Sequence, residues 1–179
     1  MMNREETALV VIDFQEKLLP RIFNADTIVE EAIRLIRFAH LTRIPLILTE
    51  QYPNGLGRTV SPVADAVGTI SPIEKTSFGC FGEDGFVRAV TVSRCRQLLV
   101  VGIETHVCVM QTVIEGLARD LCVFAVQDAM GSRRPSDHSA GLTRMAGAGA
   151  QLVTAEMAIF ELLRDAASPE FKKVLPLVK

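Results

Sequence analysis

Apolar, β-branched runs recur along the chain at intervals filled by helix-patterned segments: ALVVID at 8–13, PLILTE at 45–50, RQLLVVG at 96–102, LCVFAVQD at 121–128 and AQLVT at 150–154. The runs are continuously apolar instead of alternating, so both faces of each strand must be covered, as in a parallel sheet held between helical layers. The βαβα alternation predicts an α/β, doubly wound architecture.

The intervening segments carry helical periodicity. From Thr27 to Leu41, Ile28, Ile33, Ile36 and Leu41 gather on an apolar face, Arg34 and Arg37 point to solvent, and Thr27 or Asp26 is placed to cap the start. Further helices are expected near 84–93, 107–119, 136–148 and 155–165, with a short last helix closed by Pro176. The stretch QYPNGLGRTVSP at 51–62 is non-periodic and follows the carboxyl end of a strand, where such sheets carry their ligand loops, so it is read as a pocket rim.

Of the 179 residues, 49% are hydrophobic, enough for one compact domain with a substantial core. A formal charge of −2 with both signs dispersed favours neither a nucleic-acid surface nor an acidic tail, and points to a small neutral or mildly polar partner. No apolar stretch approaches the ~18 residues a membrane span needs, and the first strand-like run begins too early for a signal peptide. Cys80, Cys95, Cys108 and Cys122 form no CxxC pair, which fits free thiols in a reducing, cytoplasmic compartment.

Three residues stand where chemistry is expected. In VVGIETHVCVMQTVIEGLARD at 100–120, a strand runs through a turn into a helix whose first turn holds Cys108. Unpaired N–H groups and the helix dipole there favour a thiolate and offer an oxyanion site, although a small buried hydrophobe is the commoner role for a cysteine. Asp13 ends the first strand, either as a charge leaving the sheet or as a base at its ligand-binding edge. Lys75, in SPIEKTSFGCF, follows another short extended segment and reads alone as a solvated lysine.

Taken together, DFQ after an apolar strand, a lysine before Ser-Phe, and GIETHVCV before an apolar helix resemble, in order and spacing, the isochorismatase-like cysteine hydrolases. TEQYPNGLGRTV and PEFKKVLPLVK are similar to the isochorismatase domain-containing branch, so the resemblance covers nearly the whole chain. It implies a single domain over 1–179 with a three-layer Rossmann-like fold, its six parallel strands in the order 3-2-1-4-5-6 and flanked by helices. It also implies an Asp13-Lys75-Cys108 triad, a cis peptide at Ile103-Glu104, an oxyanion hole from the N–H groups of Glu104 and Cys108, and a homo-oligomer.

On that resemblance Asp13 takes the thiol proton, Lys75 holds the carboxylate and stabilises thiolate, and a small amide or related acyl compound is cleaved through a Cys108 thioester. Phe14, Gln15, Tyr52, Phe78 and Ile103 are the candidate substrate contacts, with Phe81 beside them, and each of the aromatics reads equally well as core. The competing expectation is a binding or assembly module of the same fold with little turnover.

Neighbouring readings are less well supported. Family nicotinamidases carry an Asp and histidines for a metal after the second strand, where this chain reads TEQYPNGLGRT without a histidine. Isochorismatases proper typically lack the cysteine. The first βα turn, DFQEKL, has no GxGxxG, so no cofactor is expected. His106 is expected on the turn or rim, Asp128 as a brace, and Cys80, Cys95 and Cys122 as structural or incidental thiols.

Overall fold

A computed structural model describes residues 1–178. Six strands form one sheet: β1 (Thr7–Ile12), β2 (Leu46–Gln51), β3 (Ile73–Lys75), β4 (Gln97–Ile103), β5 (Cys122–Gly131) and β6 (Gln151–Val153). Every pairing is parallel and the order is β3-β2-β1-β4-β5-β6, as expected.

Alternation explains the continuous apolarity of the strands. In β1, Leu9 and Val11 enter one core layer while Ala8, Val10 and Ile12 enter the other; in β4, Leu99, Val101 and Ile103 oppose Leu98 and Val100 in the same way. The first layer is closed by α1 (Ala25–Thr42), α3 (Ser61–Val67), α7 (Ala155–Leu163) and α8 (Phe171–Val174). The second is closed by α4 (Asp84–Ser93), α5 (Met110–Leu117) and α6 (Pro135–Gly147). Each fully buried Leu, Ile or Val contributes on the order of 1.5–3 kcal/mol, so the central strands hold the sheet from both faces.

Several expectations are corrected. The non-periodic stretch contains a four-residue helix, α2 (Pro53–Leu56), and runs into α3, both opened by Pro at a first-turn position where its missing N–H costs nothing. Helix α1 starts at Ala25 after a left-handed Asn24, with no side-chain cap from Asp26 or Thr27, and Leu41 is exposed. Cys108 lies not in the first turn of an α-helix but in a π-helical turn, Thr105–Val109, that precedes α5. The last helix stops at Val174, and Pro176 sits in a following 3-10 turn. Cys122 does lie within a strand, as the first residue of β5, where it is exposed.

The chain builds β1, β2 and β3 to one side and β4, β5 and β6 to the other, which leaves a topological switch point between β1 and β4. These two strands pack so closely there that a Cβ on Gly102 (φ +140°) would lie 2.4 Å from the Ile12 carbonyl oxygen. Among the described residues, no helix is long and apolar enough to cross a membrane.

Candidate active site

Two strand ends and one turn converge beside the switch point. Asp13 follows β1 in a left-handed conformation (φ 56°), Lys75 ends β3, and Cys108 lies in the turn after β4. Register accounts for part of this convergence, since Lys75 pairs across the sheet with Gln51 and Ile12 with Thr49.

Lys75 Nζ stands 2.7 Å from Asp13 Oδ2, and neither side chain is exposed. The Thr49 hydroxyl donates to Asp13 Oδ1 at 2.8 Å. Lys75 also donates to Gln51 Oε1 at 2.6 Å and to the Phe78 and Ser77 carbonyls at 3.1 and 3.3 Å. Burial works most strongly against the Lys75 charge, but Asp13, with the Cys108 and Cys80 thiols behind it, holds the lysine above its ordinary pKa. A buried ion pair survives only when its remaining hydrogen-bonding capacity is met, and Thr49 and Gln51 supply much of that.

Cys108 is 5% exposed. Burial and then the Asp13 charge push its pKa up to about 12, with Lys75 pulling the other way. The expected helix-start thiolate is therefore corrected: the resting group is a protonated thiol beside a carboxylate. Desolvation outweighs N–H groups arranged in a π turn.

The Ile103-Glu104 peptide is cis. Glu104 Oε2 accepts from the Arg133 backbone N–H and from its Nε, both at 3.0 Å. The Glu104 carbonyl accepts from Val107 and Val109, while its own N–H finds no protein acceptor among the described residues.

The other sequence-picked contacts divide. Tyr52 and Phe78 are 56% and 55% exposed, and Tyr52 lines a cavity that reaches Lys75. Phe14 and Ile103 are fully buried in the α1-side core and present no surface to a ligand in this conformation. Gln15 is fully buried: it donates to the Gln51 and Gly57 carbonyls and accepts from Gln51 N–H, so its amide is spent on bracing the two loops. Phe81 is core, packed edge-on against Phe86 with Arg119 over its ring. His106 bonds Ser132 through Nδ1 at 2.9 Å, and Asp128 Oδ1 accepts from Ala155 N–H at the start of α7.

Sequence reasoning missed Thr49, Gln51 and Thr112. Polar residues crowding the end of an otherwise apolar strand, as in LTEQ, were the available signal for the first two. The Thr112 hydroxyl donates to the Cys108 carbonyl at 2.7 Å and accepts from Cys80 N–H at 3.0 Å, tying the thiol-bearing turn to the segment after β3. Cys80 is fully buried, and desolvation pushes its pKa up to about 12. Nearby, Glu50 accepts from the N–H and hydroxyl of Thr59 and from Arg58; these bonds overcome its burial, hold its carboxyl below the usual value and pin the loop after β2.

A cavity of about 330 Å³ opens beside Glu104, with Leu18, Ile22 and Leu56 as its apolar wall. Another, of about 290 Å³, reaches Lys75 beneath Tyr52 and Pro53. A further cavity of about 290 Å³ lies between α1 and α6; neither it nor the cavity beside Glu104 is lined by any of the three convergent residues, and Glu104 alone joins the latter to the turn that carries Cys108. Among the described residues, no group of three or more His, Cys, Asp or Glu side chains is arranged to hold a metal ion.

Residues 7–157 match the family described as Isochorismatase domain. The chain is 39% identical over 180 residues to mouse isochorismatase domain-containing protein 2A, covering 98% of this chain and 84% of that protein. Among solved structures, the Mar1 ribonuclease of Caenorhabditis elegans superposes with a TM-score of 0.93 at 38% identity, covering 99% of this chain and 91% of that one. YcaC from Pseudomonas aeruginosa, described with hexane-2,5-diol and covalent acrylamide, gives 0.92 at 27% identity, covering 98% and 90%.

Proposed function

This chain belongs to the isochorismatase domain family, a hydrolase family, and from that premise we propose that it is a cysteine hydrolase cleaving a small amide or related acyl compound through a Cys108 thioester. The observation that carries the reading is the buried 2.7 Å Asp13–Lys75 pair with the buried Cys108 thiol against it, a setting that favours the neutral thiol. Such a thiol needs a base at the moment of attack, and the neighbouring carboxylate is one.

As Cys108 Sγ attacks the substrate carbonyl carbon, Asp13 takes the thiol proton and Lys75 offsets the charge that develops. The N–H groups of Glu104 and Cys108 receive the carbonyl oxygen as it becomes an oxyanion. Collapse breaks the C–N bond, and the departing amine takes the proton from Asp13, leaving a thioester. Water then attacks the thioester, giving its proton to Asp13; the acid leaves and the thiol regains that proton. Tyr52 and Phe78 flank the entrance.

The Pseudomonas aeruginosa relative's covalent acrylamide suits a family site that holds a reactive nucleophile. Relatives named Mar1 ribonuclease raise a different chemistry. RNA cleavage needs an acid and a base about a phosphate, whereas a thiol against a carboxylate–ammonium pair suits acyl transfer, and a chain of net charge −2 does not favour a polyanion.

The test is ammonia or amine release from a panel of small amides, with peptide mapping of acid-quenched reactions. Turnover is expected that Cys108→Ala and Asp13→Asn each abolish, with an acyl mass on the Cys108 peptide. Turnover that persists in Cys108→Ala, or none from any amide, overturns the reading.

A further inference from the structure

The cavity beside Glu104 is charged in one sense. Lys17 and Arg21 from the segment after β1, and Arg133 from the segment after β5, all line it, and Glu104 is the one carboxylate among its lining residues. Three cations against one anion leave a local excess of about two positive charges in a chain whose formal net charge is −2.

This excess is not neutralised by pairing within the wall. Arg133 spends its Nε and backbone N–H on Glu104, but its side chain is 56% exposed and the terminal guanidinium nitrogens remain for another partner. Lys17 Nζ donates to the Gly55 carbonyl at 2.8 Å, a neutral acceptor that leaves its charge uncompensated. Arg21 is exposed at the end of a 3-10 turn. The nearest further acid in sequence, Glu16, turns its carboxylate against Gly57 and is not part of the wall.

We infer that the compound cleaved carries a carboxylate, or an equivalent small anionic group, some atoms away from its scissile carbonyl, and that Arg21 and Arg133 with Lys17 select it. The inference rests on the Cys108 hydrolase reading, because it takes the Glu104 N–H as the group that receives the carbonyl oxygen. Glu104 then belongs to both ends of the site: its N–H faces the reacting oxygen, and its carboxylate fixes the Arg133 fork that meets the substrate anion. Leu18, Ile22 and Leu56 supply the apolar part of the cavity wall. A guanidinium pair gives bidentate geometry as well as charge, so a planar carboxylate suits it better than a spherical ion.

The experiment compares succinate with its neutral diamide, succinamide, as calorimetric ligands of the whole protein, and succinamate with butyramide as substrates. Succinate is expected to bind at least about ten-fold more tightly than succinamide, with affinity falling as salt rises. Succinamate is expected to exceed butyramide in kcat/KM by a similar factor, and Arg21→Glu and Arg133→Gln should each lower both ratios several-fold, their folding checked by circular dichroism. Lack of succinate binding, equal ratios, or ratios that neither substitution moves overturns the inference. The two failures are separable: succinate binding without Cys108-dependent turnover sinks the hydrolase reading alone, and Cys108-dependent turnover that prefers neutral amides sinks the anion selection alone.

Discussion

Lys75 Nζ and Asp13 Oδ2 meet at 2.7 Å with neither side chain open to water, across two strand ends that the sheet order separates by the width of β2. The gap is bridged by β2 itself. Thr49 donates to the far oxygen of the carboxylate, and Gln51 accepts from the ammonium.

Removing one partner strands a buried charge, whereas removing both leaves a neutral site. Asp13→Asn and Lys75→Met are each expected to cost about 3–5 kcal/mol of unfolding free energy, while the double variant recovers most of that loss and stays inactive. Thr49→Val, which orphans one carboxylate oxygen, is expected to cost about 1–3 kcal/mol. Urea unfolding of the four variants checks this; double-variant stability no better than the worse single variant rejects the pairing argument.

The buried thiols make a prediction about alkaline pH. Cys80 and Cys108 are both pushed up to about 12 from an ordinary value near 9.0. Above about pH 9 the unfolded chain loses these protons while the folded chain keeps them, so the unfolded state binds fewer protons and stability falls as pH rises. Lys75, raised as well, adds to the loss in the same direction above its ordinary 10.5. The midpoint of thermal unfolding should therefore decline from pH 9 toward pH 12, and less steeply in Cys80→Ala. Over the same range the rate of Cys108 alkylation by iodoacetamide should keep climbing, without a plateau at pH 8–9. A plateau there would mean a thiolate already formed in the resting site.

The sheet was legible in the sequence because its central strands are buried on both faces, and double burial writes itself as an unbroken apolar run. β3 is too short for an apolar run, with three residues, Ile73–Lys75, that end on a charge; the sequence offered only a short extended segment before Lys75, and the count of six strands came from the family resemblance. The small helices at Pro53–Leu56 and Ser61–Val67 were hidden by their prolines and glycines, which read as loop but serve at first turns and caps. At the site, Asp13 and Cys108 were visible by their places after strands, and Lys75 only in their company. What sequence position does not carry is solvation: Phe14 and Gln15 follow Asp13 directly, yet one is core and the other a brace. The same blindness put a thiolate at Cys108, where desolvation by the second core layer keeps a thiol.

Two glycines test whether the switch point depends on backbone proximity. At Gly102 an added methyl would sit 2.4 Å from the Ile12 carbonyl oxygen and 2.9 Å from its Cα, atoms of a central strand that cannot yield without breaking the β1–β4 ladder. The φ of +140° adds backbone strain for any L side chain. At Gly147, the last residue of α6, a methyl meets nothing within 4 Å. Gly102→Ala is expected to lose at least about 3 kcal/mol or to fail to accumulate folded. Gly147→Ala is expected to be neutral or to gain up to about 1 kcal/mol through helix propensity and a less flexible unfolded chain. Thermal unfolding of the pair decides: if both alanine variants melt within a degree or two of the parent, the close approach of β1 and β4 does not constrain the strand ends that carry Asp13 and lead to Cys108.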